Sequence, residues 1–259
     1  MHRRVGPEAS KVLVTAGASG IGLAIVRAFA EAGASVFTCD IDQPALERVR
    51  AEIPGLHTTV CDVGDRAAVG EMVADAAARL GGIDVLVNNA GIAGPTSPVQ
   101  DVDPDEWEAV LRVDLTGAFL VAKHAIPHLI RAGGGTIINM ASAAGRFGYA
   151  NRSPYAAAKW GLIGLTKTLS MELGQHGICV NAIAPGAVDG ERIRRVFEGR
   201  AQLSGRSPDE EMQGALAHQS VKRLAQASEI AALALFLASP AARSISGQVI
   251  PVDGDQQRN

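Results

Sequence analysis

Seven short runs rich in β-branched and apolar residues punctuate the chain: Lys11 to Thr15, Ser35 to Cys39, His57 to Cys61, Ile83 to Val87, Thr136 to Met140, Ile178 to Ile183 and Gln248 to Val252. Longer Ala- and Leu-rich segments with helical spacing separate them. The alternation reads as repeated βαβ, and consecutive parallel strands require right-handed helical crossovers. The expected fold class is therefore α/β, one doubly wound domain over residues 1–259 with a seven-stranded parallel sheet and helices on both faces. Ligands then bind at the carboxyl ends of the strands.

Two stretches break the alternation. Gly91 to Asp101 is rich in Gly, Pro and Ser, and the segment from Pro185 to about Ser220 reads as polar and irregular. Loops of such length are usually functional, so 185–220 is expected to be a substrate-covering lid within the same domain.

Composition narrows the classes. Of 259 residues, 47% are hydrophobic and 20% charged, the balance of a globular chain with a core to bury. The formal net charge is −3 and no run of Lys or Arg stands out, which leaves no footprint for nucleic acid. The basic opening at residues 1–4 is not followed by an apolar run, and no stretch reaches the roughly 18 apolar residues of a membrane span, so a cytoplasmic protein is expected. The three cysteines, Cys39, Cys61 and Cys179, sit in apolar strand-like runs as small hydrophobes, without a disulfide or zinc framework. His124 and His128 share a helical spacing but lack a third ligand, so no metal is expected.

The first strand runs into Thr15-Ala16-Gly17-Ala18-Ser19-Gly20-Ile21-Gly22 and an Ala-rich helix. Glycines there let the backbone approach a pyrophosphate, and the free N–H groups of the helix start stabilise its charge, as in a Rossmann-like nucleotide site. The phosphate cradle is thus assigned to Gly17, Ser19, Gly20, Ile21 and Gly22. Asp40 ends the second strand eighteen residues beyond Gly22, where a carboxylate can accept hydrogen bonds from the adenosine ribose. It would repel a 2′-phosphate, and neither Ser19 nor Ile41 is basic, so NAD is expected rather than NADP.

Tyr155 and Lys159 stand i, i+4 in a segment whose Ser153-Pro154 pair reads as a cap and first-turn proline. An ammonium on the same face favours phenolate and lowers the tyrosine pKa from about 10 toward neutrality. With two Tyr and five Lys in the chain, this spacing would arise by chance about 0.04 times. Ser142 follows a strand and precedes Tyr155 by thirteen residues, which puts a hydroxyl at the same sheet edge.

On these residues, together with Asp62-Val63, Asn88-Asn89-Ala90-Gly91 and Pro185-Gly186, the chain resembles the classical short-chain dehydrogenases/reductases over nearly its whole length. The resemblance implies that Asp62 and Val63 flank the adenine, that Asn89 lies along the cofactor, that Lys159 also holds the nicotinamide ribose beside Tyr155, and that Val188 meets the carboxamide. It also implies a homotetramer. Three positions depart from the family pattern: Ala16 stands where Gly is usual, Asp114 replaces the helix Asn that holds a relay water near the lysine, and Gly190 replaces a Thr after Pro-Gly.

The expected activity is hydride transfer between NAD(H) and a secondary alcohol/ketone, with Tyr155 as general acid/base, Ser142 and Lys159 in support and Asp114 beside them. A 3-oxoacyl thioester reductase and a sugar or polyol dehydrogenase are the alternatives within this chemistry. A nucleotide-binding protein without turnover is the alternative outside it. The small-molecule substrate pocket is expected around Gly94, 146–152 and 188–206. Its arginines (Arg146, Arg152, Arg192, Arg194, Arg195) are read as solvated surface charge, with an anionic substrate as the other reading.

Overall fold

The computed structural model describes residues 6–257; the basic opening lies outside the described residues. Seven parallel strands form one sheet: β1 (Lys11–Thr15), β2 (Ser35–Asp40), β3 (His57–Val60), β4 (Val85–Asn88), β5 (Gly135–Met140), β6 (Ile178–Pro185) and β7 (Val249–Val252). Their order is β3-β2-β1-β4-β5-β6-β7, the doubly wound arrangement, with its switch point between β1 and β4. Strands β4, β5 and β6 are buried along their whole length, which is why they read as continuous apolar runs rather than alternating ones.

Successive side chains leave opposite faces of the sheet and feed two cores. Val12, Val14, Val85 and Val87 point to the layer of α1 (Gly20–Glu31), α2 (Gln43–Glu52) and α9 (Ala227–Ala238), around Ile25, Phe29 and Ile230. Leu13 and Leu86 point to the layer of α3 (Arg66–Leu80), α5 (Ala118–Arg131) and α6 (Ser153–Leu173), around Val69, Val121 and Leu169. All three cysteines are buried thiols.

The structure differs from expectation in three places. The segment after β6 is not irregular: α7 (Glu191–Ser204) buries Val196 and Phe197, and α8 (Pro208–Ala217) starts on a Ser207/Glu210 capping box. Its polar composition hid two helices whose apolar stripes are narrow. A further short helix, α4 (Pro104–Leu111), follows the Gly91 to Asp101 loop. Ser153 does not cap α6. It is the first helical residue, Arg152 holds the cap position without a side-chain capping bond, and Pro154 still sets the first turn. Among the described residues no helix is long and apolar enough to cross a membrane.

Candidate active site

The strand ends deliver the predicted residues to one edge of the sheet. After β1 the chain makes the Gly-rich turn, in which Ala16 adopts φ 55°. A side chain there opposes its backbone conformation, so Ala16→Gly is expected to raise stability by about 0.5–1 kcal/mol, roughly 2 °C in Tm. A thermal melt that is unchanged or lowered would contradict this account of Ala16. Gly22 packs so closely under the turn that a Cβ would sit 2.0 Å from the Ala16 carbonyl oxygen. Ser19, the N-cap of α1, makes no side-chain capping bond, so the first N–H groups of that helix stay available to an anion.

Asp40 at the end of β2 faces this turn. One of its oxygens accepts from Ala18 N at 3.1 Å and the other from Ile41 N at 2.8 Å. The carboxylate is thereby fixed beside the cradle, while Ile41 is largely exposed at its rim. Asp62, after β3, accepts from Gly64 N and pairs with Arg112 at 2.9 Å. Burial pushes the Asp62 carboxyl up, but the guanidinium and the N–H together hold it below the usual carboxylate range. Val63 next to it is buried against Gly117. Asn89 supports the cradle from behind: its Nδ2 donates to the carbonyls of Thr15 and Ala16 at 3.0 and 3.1 Å. Val188 lies on a one-residue parallel bridge with Ala225, and Gly190 is the N-cap of α7 with no side chain to contribute.

The second cluster surrounds Tyr155, which is half-buried in the first turn of α6. Ser142 caps a short turn at 143–145 after β5, its Oγ accepting from Ala144 N at 3.2 Å. Gly145 lets that turn approach α6, since a Cβ there would come within 2.8 Å of the Lys159 carbonyl oxygen. The Ser142 side chain favours the ionised form of the Tyr155 phenol. Burial pushes this phenol up, yet Arg192, Lys159 and the Ser142 hydrogen bond outweigh burial and the opposing Asp114, so the pKa lies below the ordinary tyrosine value.

Lys159 is 3% exposed and donates to the Met140 carbonyl at 3.1 Å. Its ammonium stands 3.2 Å from Asp114 Oδ2, a pair buried on both sides. Asp114 comes from a π-helical turn at Arg112–Gly117, a widening that turns its side chain inward, and its Oδ1 accepts from Ile92 N at 2.6 Å. The family departure at this position therefore replaces a neutral amide by a direct counter-charge for the lysine.

Sequence reasoning missed several contributors. A buried chain from Asn88 to Asn139 to Thr166, each link 2.9 Å, ties β4 and β5 to α6 and so fixes where Tyr155 stands. Thr15 Oγ1 accepts from both Asn89 N and Ala90 N across the switch point. The surface reading holds for some of the arginines and fails for Arg152. Arg194 and Arg195 are exposed and pair with Asp189 and Glu191, and Arg146 pairs with buried Asp253 at 2.7 Å. Arg152, in contrast, is buried beside the tyrosine: its guanidinium carbon is 5.2 Å from the Tyr155 ring centre. The signal was available, since 152, 155 and 159 fall at i, i+3 and i+7 on one helix face. Among the described residues, no group of three or more His, Cys, Asp or Glu is placed to hold a metal.

Comparison with known proteins agrees with this architecture. A family model described as enoyl-(acyl carrier protein) reductase matches residues 15–254. The chain belongs to the classical short-chain dehydrogenase/reductase family. It is an oxidoreductase acting on a CH–OH group with a nicotinamide cofactor. Cis-4-hydroxycyclohexanecarboxylate dehydrogenase of Sinomonas cyclohexanicum is 39% identical over 246 residues, covering 93% of this chain and 94% of the relative. The crystal structure of levodione reductase superposes with TM-score 0.89 at 36% identity, over 97% of this chain and 98% of the other. That of a single-substitution variant of actinorhodin polyketide ketoreductase with NADPH superposes with TM-score 0.91 at 32% identity, over the same shares.

Proposed function

We propose that this enzyme interconverts a secondary alcohol and its ketone with NAD(H), Tyr155 being the general acid/base. The observation that carries the reading is the setting of the phenol, held by Ser142 and flanked by Lys159 and Arg192, which bring its pKa down. Gly17, Ser19, Gly20, Ile21 and Gly22 would hold the pyrophosphate, Asp40 and Ile41 the adenosine ribose, Asp62 and Val63 the adenine, and Asn89, Lys159 and Val188 the nicotinamide half. The nicotinamide so held would supply the hydride chemistry at the carbinol carbon. In oxidation the alcohol proton passes to the Tyr155 phenolate as the C–O bond becomes a carbonyl; in reduction the phenol returns it. Ser142 fixes the reacting oxygen, and the Lys159 charge favours the phenolate. A secondary ring alcohol is supported by the relative that acts on cis-4-hydroxycyclohexanecarboxylate. Assembly as a cytoplasmic homotetramer fits the exposed Phe119, Trp160 and Met171 on α5 and α6.

The NAD assignment rests on Asp40, fixed at the cradle by its own hydrogen bonds. Steady-state kcat/KM is expected to favour NAD(H) over NADP(H) by at least about tenfold, only 1.4 kcal/mol, which one charge conflict supplies. Asp40→Ala should narrow the ratio, and adding Ile41→Arg should narrow it further. An unmodified enzyme that prefers NADP(H) would overturn the assignment.

The electrostatics around Tyr155 give a signed pH test. Alcohol oxidation needs the phenolate, so the rate rises with pH through the tyrosine pKa. Arg192 lowers that pKa and Asp114 raises it. Arg192→Gln should therefore move the rising limb to higher pH, and Asp114→Asn, which should remain active, should move it lower. Shifts in the same direction, or none, would count against Tyr155 as the titrating group.

A further inference from the structure

We propose that Arg152 and Arg192 form a binding site for a carboxylate on the substrate, so that the alcohol and ketone interconverted here are a hydroxy acid and its keto acid. The proposal rests on the reading of Tyr155 given above and names the substrate class of that site.

Arg152 is 2% exposed, among the most deeply buried charges in the molecule. Its Nη2 donates to the Ala93 carbonyl at 2.6 Å, but Nε and Nη1 have no partner, and neither has the buried Oγ of the adjacent Ser153. A buried cation without a counter-charge is strongly destabilising. Among the described residues no carboxylate pairs with it. The charged groups acting on it are Arg192 and Arg200, which join with burial to push the guanidinium down, while Tyr149 and Tyr155 oppose them. Arg146, Arg194 and Arg195 nearby are paired with Asp253, Asp189 and Glu191, whereas the described acids form no ion pair with Arg152 or Arg192.

Three segments converge on the spot. Arg152 comes from the start of α6, and Arg192 from the start of α7, where its guanidinium donates to the Gly91 carbonyl at 3.1 Å. Both are anchored on the loop after β4, through Ala93 and Gly91. The guanidinium carbons of Arg152 and Arg192 lie 5.2 and 5.6 Å from the Tyr155 ring centre, so an anion held by either sits a few bonds from an oxygen held by the phenol. A guanidinium donates charge-assisted hydrogen bonds to carboxylate oxygens, and the unused Nε and Nη1 of Arg152 each offer such a donor in a different direction. A bound carboxylate would satisfy one of those donors and supply the counter-charge that Arg152 lacks.

The test is calorimetric titration of the enzyme–NADH complex with butyrate and benzoate, each beside its carboxamide. The carboxylates are expected to bind at least about tenfold tighter than the amides, the range of a charge-assisted hydrogen bond. Arg152→Gln should erase the difference, Arg152→Lys should restore part of it, and Arg192→Gln should reduce it, all with NADH affinity within about threefold of the parent. Where Arg152→Gln does not fold, Arg192→Gln on the exposed start of α7 decides. Equal binding of acid and amide, no binding of either, or a preference that survives both substitutions overturns the proposal. Loss of NADH affinity in Arg152→Gln also overturns it, since the cofactor phosphates would then be the ligand. Failure of the catalytic reading alone, seen as unchanged turnover in Tyr155→Phe, would leave the binding difference in place.

Discussion

Tyr155→Phe is expected to lower kcat by about 10²–10⁴-fold, the usual contribution of a positioned general acid/base, while NAD affinity stays within about threefold. The substitution removes one oxygen and almost no volume, and the ring keeps its packing against the cations at 5.2, 5.5 and 5.6 Å. What is lost is the group that exchanges the alcohol proton, whose ionised form Lys159, Arg192 and Ser142 favour. Stopped-flow measurement of the hydride step, beside fluorescence titration with NADH, separates chemistry from binding. A near-normal rate in the variant would remove Tyr155 from the mechanism.

Lys159→Met is expected to fail in two ways, and the partner at 3.2 Å makes the two separable. Removing the ammonium leaves the fully buried Asp114 carboxylate without its counter-charge, a change that typically costs about 3–5 kcal/mol, or roughly 6–20 °C in Tm. It also removes one of the charges that lower the Tyr155 pKa, and the proposed ribose contact, so both rate and NAD affinity should fall. Adding Asp114→Asn should restore much of the stability, because the stranded charge is gone, but not the activity. A single variant as stable as the parent, or a double variant no more stable than the single, would show that the pair does not hold the site together. This is a stricter test than Lys159→Ala, which also opens a cavity.

Asp114 illustrates why a motif must be read in its packing. As one letter in a helix it appears as a departure from the family Asn. In the folded chain, the π-helical turn at Arg112–Gly117 carries it inward to bond Ile92 N and face Lys159. Its charge then enters the balance that sets the phenol's pKa, opposite in sign to Lys159 and Arg192.

By itself the sequence determined the βαβ alternation, the seven strands to within two residues at each end, the Gly-rich turn, the acid that closes β2 and the helical pairing of Tyr155 with Lys159. These are local facts: a strand buried on both faces is mostly apolar, and residues four apart on a helix share a face. Only the tertiary structure decided what depends on distant segments meeting. The two helices of the 185–220 region declare themselves through burial of Val196 and Phe197 on α7 and Leu216 on α8, and the placing of the turn after Ser142 depends on Gly145 lying against α6. Which of five arginines stay unpaired is set by whether an acid far away in the chain, such as Asp253 for Arg146, arrives beside each one. A side chain's charge is written in the sequence, but its counter-charge and its access to water follow from packing, and those two decide whether an arginine is surface or site.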